Sequence, residues 1–458
     1  MKNNSPRKLH IISLGCSKNL IDSEVMGGLA AQSGMTLVER PEQADTIIVN
    51  TCAFIQPAKE EAINVILTLV SEKNKSGRNL KLLVAGCLAQ RYGKELLREI
   101  PEVDLLIGTG EVGRIVEHLQ TLHAEKPRRR AIMSKPDFLM TAGHKRILSA
   151  DTATAYLKIS DGCSNHCTYC AIPSIRGKAR SRMPEDILLE AQNLAAGGIK
   201  EIILIGQDTT AYGHDLKNRP TLSRLLSDLA SLSGIRWLRL LYAHPAHITS
   251  DVLETMVGHD KICRYLDLPV QHIDDTILTA MNRKVSSQNI YQVITQARSI
   301  MPDAALRTSL IVGFPGETQK RFDRLLDFVG KAQFDHLGVF TYSREEGTAA
   351  AEWSSRISER EKERRRDIIM SKQADISHAV NRTLIGSVQD VLIDGKSDRE
   401  GYAFVGHCRR QAPEIDGVTY IQESSATIGD IVSCTITSTD HYDLFGQILF
   451  DKNAPSKL

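Results

Sequence analysis

The segment DGCSNHCTYC, residues 161–170, contains three cysteines in the spacing C-x-x-x-C-x-x-C: Cys163, Cys167 and Cys170. A loop this short lets three thiolates converge on one face of an iron–sulfur cubane. Three cysteines bind only three of the four irons, so the fourth iron stays open to a ligand that is not protein. An electron carrier normally has all four irons bound by cysteine. The spacing therefore predicts a 4Fe–4S cluster with a catalytic role.

Zinc is the main alternative for this loop. A structural zinc site usually needs a fourth Cys or His and favours paired C-x-x-C units. His166 lies within the loop, but its neighbours leave it little room to complete a tetrahedron. The spacing therefore favours an iron–sulfur cluster over zinc, and zinc stays open as the alternative.

The sequence around the loop predicts an α/β barrel over residues 142–380. Six apolar segments read as strands, separated by helical segments: AYLKI, EIILIG, WLRLLY, RYLDLPV, LRTSLIVG and HLGVFTY. Right-handed βα units in series curl towards a TIM-like barrel, and six units leave it incomplete. Chemistry in such folds lies at the carboxyl ends of the strands, and the cysteine loop follows the first strand.

A second cysteine group lies in residues 1–122, where strand and helix patterns alternate and predict an open parallel α/β sheet. Cys16, Cys52 and Cys87 each follow a short apolar run: KLHIISLGC, ADTIIVNTC and KLLVAGC. The carboxyl ends of parallel strands meet at one edge of a sheet, which predicts a second three-cysteine cluster. Three unrelated buried cysteines are the alternative.

The remaining segments complete a three-domain organisation. Residues 123–141 contain two prolines and weak periodicity and are predicted to be a linker. Residues 381–450 consist of short strands broken by turns, which predicts a small five-stranded all-β barrel.

The composition predicts the cellular compartment of the protein and argues against a general affinity for nucleic acid. The 458 residues carry a formal charge of +2, so no strong overall field points to nucleic acid. The start, MKNNSPRKLH, lacks the apolar core of a signal peptide, and no apolar run is long enough to span a membrane. We therefore expect a cytoplasmic protein, in which grouped cysteines bind metal rather than form disulfides.

The central motif resembles the signature of the radical S-adenosylmethionine (SAM) superfamily, and the whole chain resembles the methylthiotransferases. That resemblance implies two 4Fe–4S clusters, SAM, and a terminal barrel of the TRAM (OB-like) type. One SAM donates a methyl group to sulfur at the N-terminal cluster. Another yields a 5′-deoxyadenosyl radical that activates a C–H bond, with an electron from a donor such as flavodoxin or ferredoxin.

The resemblance also implies SAM-binding positions. Gln207 and Asp208 follow the second barrel strand, where the family places polar groups for the amino end of SAM. The glycine-rich turn with Gly313 and Gly316 follows the fifth strand and would approach adenine and ribose, although alone it reads as a tight turn. The other candidates are Tyr169, next to the last cysteine, and Arg307, for the SAM carboxylate or a structural ion pair.

The substrate depends on the branch of the family. Residues 13–24, SLGCSKNLIDSE, are similar to the branch that modifies the β-carbon of an aspartate in ribosomal protein S-twelve. The branch that modifies C2 of N6-isopentenyl adenosine in tRNA usually has Gln-Met-Asn after the cysteine, where this chain has Ser17-Lys18-Asn19. His272, Arg176 and Arg180 are candidates to grip the target aspartate.

The charge of the terminal barrel favours the ribosomal protein. Residues 381–450 contain five Lys/Arg and ten Asp/Glu, a net charge of −5. A barrel that grasps tRNA should be basic, whereas an acidic barrel suits a basic protein. Two alternatives stay open: the acidity serves solubility only, or the chain is a non-catalytic iron–sulfur RNA-binding or assembly factor.

Overall fold

The computed structural model describes residues 6–124, 130–148, 153–354, 356–423 and 426–449. The N-terminal part is a six-stranded parallel sheet with the order β2-β1-β3-β4-β5-β6. Its strands are β1 (Lys8–Ser13), β2 (Thr36–Leu37), β3 (Thr46–Thr51), β4 (Lys81–Gly86), β5 (Leu105–Ile107) and β6 (Arg130–Ile132). Its helices are α1 (Ser17–Gln32), α2 (Gln56–Ser76), α3 (Cys87–Glu99) and α4 (Ile115–Leu122). The central strands are buried on both faces, as parallel strands require.

The segment predicted to be a linker is part of this sheet. Within residues 123–141, β6 pairs in parallel with β5 through Leu105 and Arg130. A strand of three residues at a sheet edge carries too little pattern for detection in the sequence. The linker prediction was therefore wrong for these residues.

The central part is the predicted six-stranded incomplete barrel. Its parallel strands are β7 (Thr154–Lys158), β10 (Glu201–Ile205), β11 (Trp237–Leu240), β12 (Tyr265–Asp267), β13 (Ala305–Val312) and β14 (His336–Thr341). A parallel bridge between Leu238 and Ile262 joins its two halves. The short strands β8 (Ser160–Asp161) and β9 (Arg180–Ser181) form a ribbon beside the cysteine loop.

Helices pack around these strands and enclose the largest apolar core. They are α5 (Ile172–Arg176), α6 (Pro184–Ala196), α7 (Leu222–Ser231), α8 (Ser250–Gly258), α9 (Asp275–Ala280), α10 (Ser287–Ile300), α11 (Gln319–Ala332) and α12 (Glu359–Arg382). The helix α12 leads into the terminal domain. Among the described residues, no helix has the length and apolarity needed to cross a membrane.

The terminal domain is a closed five-stranded barrel with the order β15-β16-β17-β19-β18. Its strands are β15 (Val388–Lys396), β16 (Phe404–Cys408), β17 (Thr419–Ile421), β18 (Ile431–Thr439) and β19 (Leu444–Ile448). The segment 407–416 enters the amino-terminal end of the central barrel. There His407 contacts Glu201, and Asp416 accepts a hydrogen bond from Tyr265 at 2.5 Å. Because Glu201 and Tyr265 begin their strands, the terminal barrel closes the end opposite the cysteine loop.

Candidate functional site: two cysteine triads at strand ends

Three neighbouring strands of the N-terminal sheet lead to the three N-terminal cysteines. Cys52 directly follows β3, Cys87 directly follows β4, and Cys16 lies three residues after β1. Because β1, β3 and β4 are adjacent, their carboxyl ends meet. Burial raises the pKa of Cys87 to about 12; the charges of Cys52 and Cys16 add to the rise, and Arg176 opposes it. The structure therefore brings this triad together.

Two glycines allow this close approach. Gly15 precedes Cys16 with φ +93°, and a Cβ there would lie 2.5 Å from Cys52 Cβ. Gly86 precedes Cys87 with φ +92°, and a Cβ there would lie 2.3 Å from Asn50 Oδ1. Only a residue without a side chain combines this backbone conformation with this contact.

Polar side chains fix the triad and place positive charge beside its thiols. Asn19 Nδ2 donates to Thr51 O at 2.9 Å, and Arg176 Nη2 donates to Asn19 Oδ1 at 2.6 Å. Cys87 Sγ lies 3.7 Å from the same amide oxygen. Desolvation would raise the pKa of Cys16, but the charges of Lys18 and Arg176 outweigh it and lower that pKa. Thiolates are the form that binds iron; the nearby cations lower the pKa of Cys16, whereas burial raises the pKa of Cys52 and of Cys87.

The central triad lies in the loop after β7, at the carboxyl end of the barrel strands. The loop is held by Cys163 N, which donates to Gly177 O at 3.0 Å, and by Thr168 N, which donates to Met281 O at 3.1 Å. Arg283 Nη1 lies 3.8 Å from Cys167 Sγ and supplies positive charge to the thiol group. Burial raises the pKa of Cys170 to about 12.

A buried charge network connects the two triads. Lys158, at the end of β7, donates to Asp22 at 2.6 Å and to Asp161 at 3.0 Å. Arg176 pairs with the same two carboxylates, at 2.9 and 3.1 Å. Asp22 belongs to the N-terminal sheet domain, and Asp161 lies two residues before Cys163. The network therefore holds the two cysteine sites in a fixed relation.

The cysteine triads are more widely spaced than the ligands of a single zinc ion. A tetrahedral zinc ion with Zn–S distances of about 2.3 Å places its ligand atoms about 3.8 Å apart. Within the described parts of the chain, the one set of three ligating atoms within 4.8 Å of each other is Asp208, His244 and His247. Among the described residues, neither cysteine triad is that compact.

The set of Asp208, His244 and His247 is better described as an oriented carboxylate than as a metal site. Asp208 accepts hydrogen bonds from Asn165, Thr210 and His247, each at 2.7 Å. Asn165 belongs to the cysteine loop, so Asp208 is tied to the central triad. Its carboxylate is already occupied by these three donors.

Most predicted SAM positions lie beside the central triad. Gln207 Nε2 donates to Asp161 at 3.2 Å, whereas its Oε1 is buried without a partner in this part of the structure. Such an atom normally has a hydrogen-bond donor, which a bound cofactor would supply. The Tyr169 ring packs on Phe314 with centroids 6.4 Å apart, so the Gly313–Gly316 turn lies against the cysteine loop.

The glycine turn is also braced from behind. Gly313 has φ +76°, and a Cβ there would lie 2.3 Å from Lys362 Cγ on α12. Gly316 has φ +87°, and a Cβ there would lie 3.7 Å from Arg321 Nη1, an ordinary van der Waals contact. Glu317 pairs with Arg365 at 2.8 Å and accepts from Gly313 N. Packing against Lys362 therefore requires glycine at position 313. A tight turn without a cofactor would require the same residue.

Arg307 is not at this site. It pairs with Asp267 at 2.9 Å and with Asp416 of the terminal barrel at 3.3 Å. Asp416 enters from the opposite end of the barrel strands, so Arg307 serves the domain contact. The assignment of Arg307 to the SAM carboxylate was wrong, and the structural ion pair is the correct alternative.

The three residues suggested for gripping the target aspartate are all engaged in the structure. His272 is fully buried; its Nδ1 accepts from Asp274 N at 2.9 Å, and its Nε2 lies 3.3 Å from Glu317. Arg176 is paired in the charge network. Arg180 donates to the carbonyls of Pro136 and Phe138, which fixes the segment before the barrel. Each side chain thus has a structural partner, and its contact with the substrate stays a prediction.

Several site residues were missed by the sequence reasoning: Lys18, Asn19, Lys158, Asp161 and Arg283. Asp161 and the pair Lys18–Asn19 lie within three residues of a cluster cysteine, and this adjacency is a signal that could have identified them. Lys158 and Arg283 do not lie this close to a cluster cysteine in the sequence, so no such signal identifies them.

Comparison with known proteins agrees with this geometry. Three family profiles match in order: "Uncharacterized protein family UPF0004" at residues 8–108, "Radical SAM superfamily" at 157–329 and "TRAM domain" at 385–449. The radical SAM methyltransferase TsrM from Kitasatospora setae has a similar fold, with a TM-score of 0.55 and 12% identity, covering 84% of this chain and 80% of that one. At that identity the likeness concerns the fold alone.

Relatives of much higher identity span the whole chain. "Ribosomal protein uS12 methylthiotransferase RimO" from Syntrophus aciditrophicus is 52% identical over 447 residues, which cover 96% of this chain and 98% of the relative. The protein of the same name from Geobacter sulfurreducens is 48% identical, covering 97% of this chain and 99% of the relative. With two cysteine triads, an incomplete barrel and a TRAM barrel in the same order, the chain belongs to the RimO family of radical SAM methylthiotransferases.

Proposed function

We propose that this chain replaces a hydrogen on the β-carbon of an aspartate of ribosomal protein uS12 with a methylthio group. The observation that carries the proposal is the pair of cysteine triads, joined by one buried charge network. Each triad has three thiols for a four-iron cluster, so each can present one iron to an external group. When bound, the central cluster with SAM supplies radical chemistry, and the N-terminal cluster supplies a site for the sulfur to be transferred.

The remaining side chains hold and orient these groups. Cys16, Cys52 and Cys87 would bind the N-terminal cluster, and Cys163, Cys167 and Cys170 would bind the central one. Arg176 and Arg283 place positive charge beside the thiolates. Gln207, whose buried Oε1 has no donor among the described residues, would accept a hydrogen bond from the amino end of SAM. Asp208, held by Asn165, Thr210 and His247, would place its negative charge nearby.

Water is kept from the rear of the central site by an apolar cluster. Phe314 is fully buried and contacts Tyr169, Tyr342 and Trp353, with ring centroids 5.4 to 6.4 Å apart. A reactive radical needs such a dry wall, because water and side reactions would otherwise consume it.

A direct assay tests the function and its alternatives. Reconstituted enzyme with SAM, reductant and sulfide should add the mass of a methylthio group to uS12. Modification of isopentenylated tRNA in place of uS12 would favour the tRNA branch. Absence of 5′-deoxyadenosine under reducing conditions would favour a non-catalytic iron–sulfur protein.

The acidic surface of the terminal barrel supports a basic protein as the substrate. Arg409 and Arg410 point into the contact with the central barrel, where Arg410 pairs with Asp335. Asp398 and Glu400 are exposed, without an ion pair among the described residues. Since this barrel lies opposite the cysteine loop, its acids would contact a part of uS12 distant from the modified aspartate.

Charge reversal tests this surface. Asp398→Lys with Glu400→Lys should weaken uS12 binding, with a smaller salt dependence than wild type. Asp394 is unsuitable because it accepts from His407 at 2.7 Å. Asp251→Lys with Glu254→Lys, on exposed positions of α8, is the matched control. Equal binding by both double variants would remove the acidic surface from the proposal.

The electron donor and the compartment complete the proposal. A small carrier such as flavodoxin or ferredoxin would reduce the central cluster in the cytoplasm. The described structure contains free cysteines only, which suits a reducing compartment. Turnover with reduced flavodoxin or ferredoxin in place of a chemical reductant tests the donor.

A further inference from the structure

Lys18 is a buried cation at the catalytic face without a counter-ion. It is the second residue of α1 and has only 6% of its surface exposed. Within the described residues its ammonium forms no ion pair and no hydrogen bond. Its ammonium lies over the ring of Tyr242, 3.0 Å from the centroid. A positive charge in the first turn of a helix also opposes the helix dipole.

These features cost stability. A buried ammonium is normally paired, and the cation–π contact with Tyr242 offsets only part of its desolvation. The nearby cations differ in this respect: Lys158 and Arg176 pair with Asp22 and Asp161, and Arg283 lies against Cys167. Lys18 is therefore a cation of this region whose ammonium, within the described residues, remains available for an external anion.

The contacts of Lys18 place it between the two cysteine triads. Its charge acts on Cys16, two residues before it. Tyr242 follows β11 at the carboxyl end of the barrel strands, and its carbonyl accepts from Thr209 N at 3.1 Å. Thr209 adjoins Asp208, which is bonded to Asn165 of the central cysteine loop.

We infer that Lys18 binds the side-chain carboxylate of the substrate aspartate and thereby places its β-carbon between the two cluster sites. This inference rests on the proposed function. The carboxylate is attached to the carbon to be modified, so its anchor must lie between the radical source and the sulfur site.

A cycle of enzyme and substrate variants tests the inference. Binding of labelled uS12 to reconstituted enzyme with SAM is measured by fluorescence anisotropy, for native uS12 and for uS12 with the target aspartate changed to asparagine. Wild type should prefer the aspartate form by about tenfold or more, the usual contribution of a charge-assisted hydrogen bond. Lys18→Met should bind both forms equally, and Lys18→Arg should keep most of the preference.

Controls separate this role from others. Lys94→Met, an exposed lysine of α3, should behave as wild type. Because Lys18 also acts on Cys16, iron content and the spectrum of the N-terminal cluster are measured for every variant, and binding is compared at equal iron content. An undiminished preference of Lys18→Met for the aspartate form would overturn the inference. Loss of that preference in both Lys18→Met and Lys94→Met would also overturn it. If the proposed function itself fails, wild type neither binds nor modifies uS12, which is a different result.

Discussion

At the scale of single residues, the site depends on charges buried between domains. Arg176 contacts Asp22, Asp161 and Asn19 at once, and it lies beside the N-terminal thiols. Such an arrangement stabilises thiolates but is costly if one partner is lost, because the other charges remain buried.

Replacement of Arg176 tests this role. Arg176→Gln leaves Asp22 and Asp161 with Lys158 alone, and we expect unfolding to become easier by about 3–5 kcal/mol. Iron bound by the N-terminal triad should fall in parallel. Denaturant unfolding and iron analysis measure both effects, with the exposed Arg98→Gln as the control. Stability equal to that of the control would contradict the role.

The cysteines could be predicted from the sequence, but this network could not. Each cysteine follows an apolar run or lies in a short motif, and both signals are local. Asp22 and Arg176 are 154 positions apart, so only the folded chain shows that they pair. The same limit applies to His272, whose partner Glu317 is 45 positions away.

At the scale of elements, strand-to-helix turns place the cysteines. The long apolar strands β3, β4, β10 and β13 were predictable because parallel strands are buried on both faces. The short edge strands β2 and β6 were not, since two or three residues show no periodicity.

A glycine substitution tests the turn after β4. Gly86→Ala places a Cβ 2.3 Å from Asn50 Oδ1, at a φ that alanine disfavours. Iron at the N-terminal triad should be lost, whereas the central triad keeps its cluster. Gly77→Ala is the matched control, because Gly77 also has positive φ but has nothing within 4 Å of its Cβ position. Equal iron contents in the two variants would disprove the packing argument.

At the scale of the whole molecule, the terminal barrel closes the central barrel through buried ionisable groups. Glu201 pairs with Arg239 at 2.7 Å and with His407. Burial would lower the pKa of His407, but Glu201 and Asp394 outweigh it and raise that pKa to about 9. The order of domains could be predicted from the sequence, but this docking could not, because it joins residues 206 positions apart.

The raised pKa gives the contact a defined pH dependence. His407 binds its proton more tightly in the folded protein than its ordinary pKa of 6.5 allows. The resulting stability is complete below about pH 6.5 and is lost as the pH rises through about 9. The midpoint temperature of thermal unfolding should therefore fall more steeply for wild type than for His407→Gln between pH 6.5 and 9.5. Parallel curves for the two proteins would contradict this assignment.

The most direct test of the account is metal analysis of anaerobically purified, reconstituted protein. We predict two cubanes per chain, with about eight irons and eight sulfides. Replacement of Cys16, Cys52 and Cys87 by alanine should leave about four of each, and so should replacement of Cys163, Cys167 and Cys170. Zinc at either triad, or full iron content in either triple variant, would contradict the account.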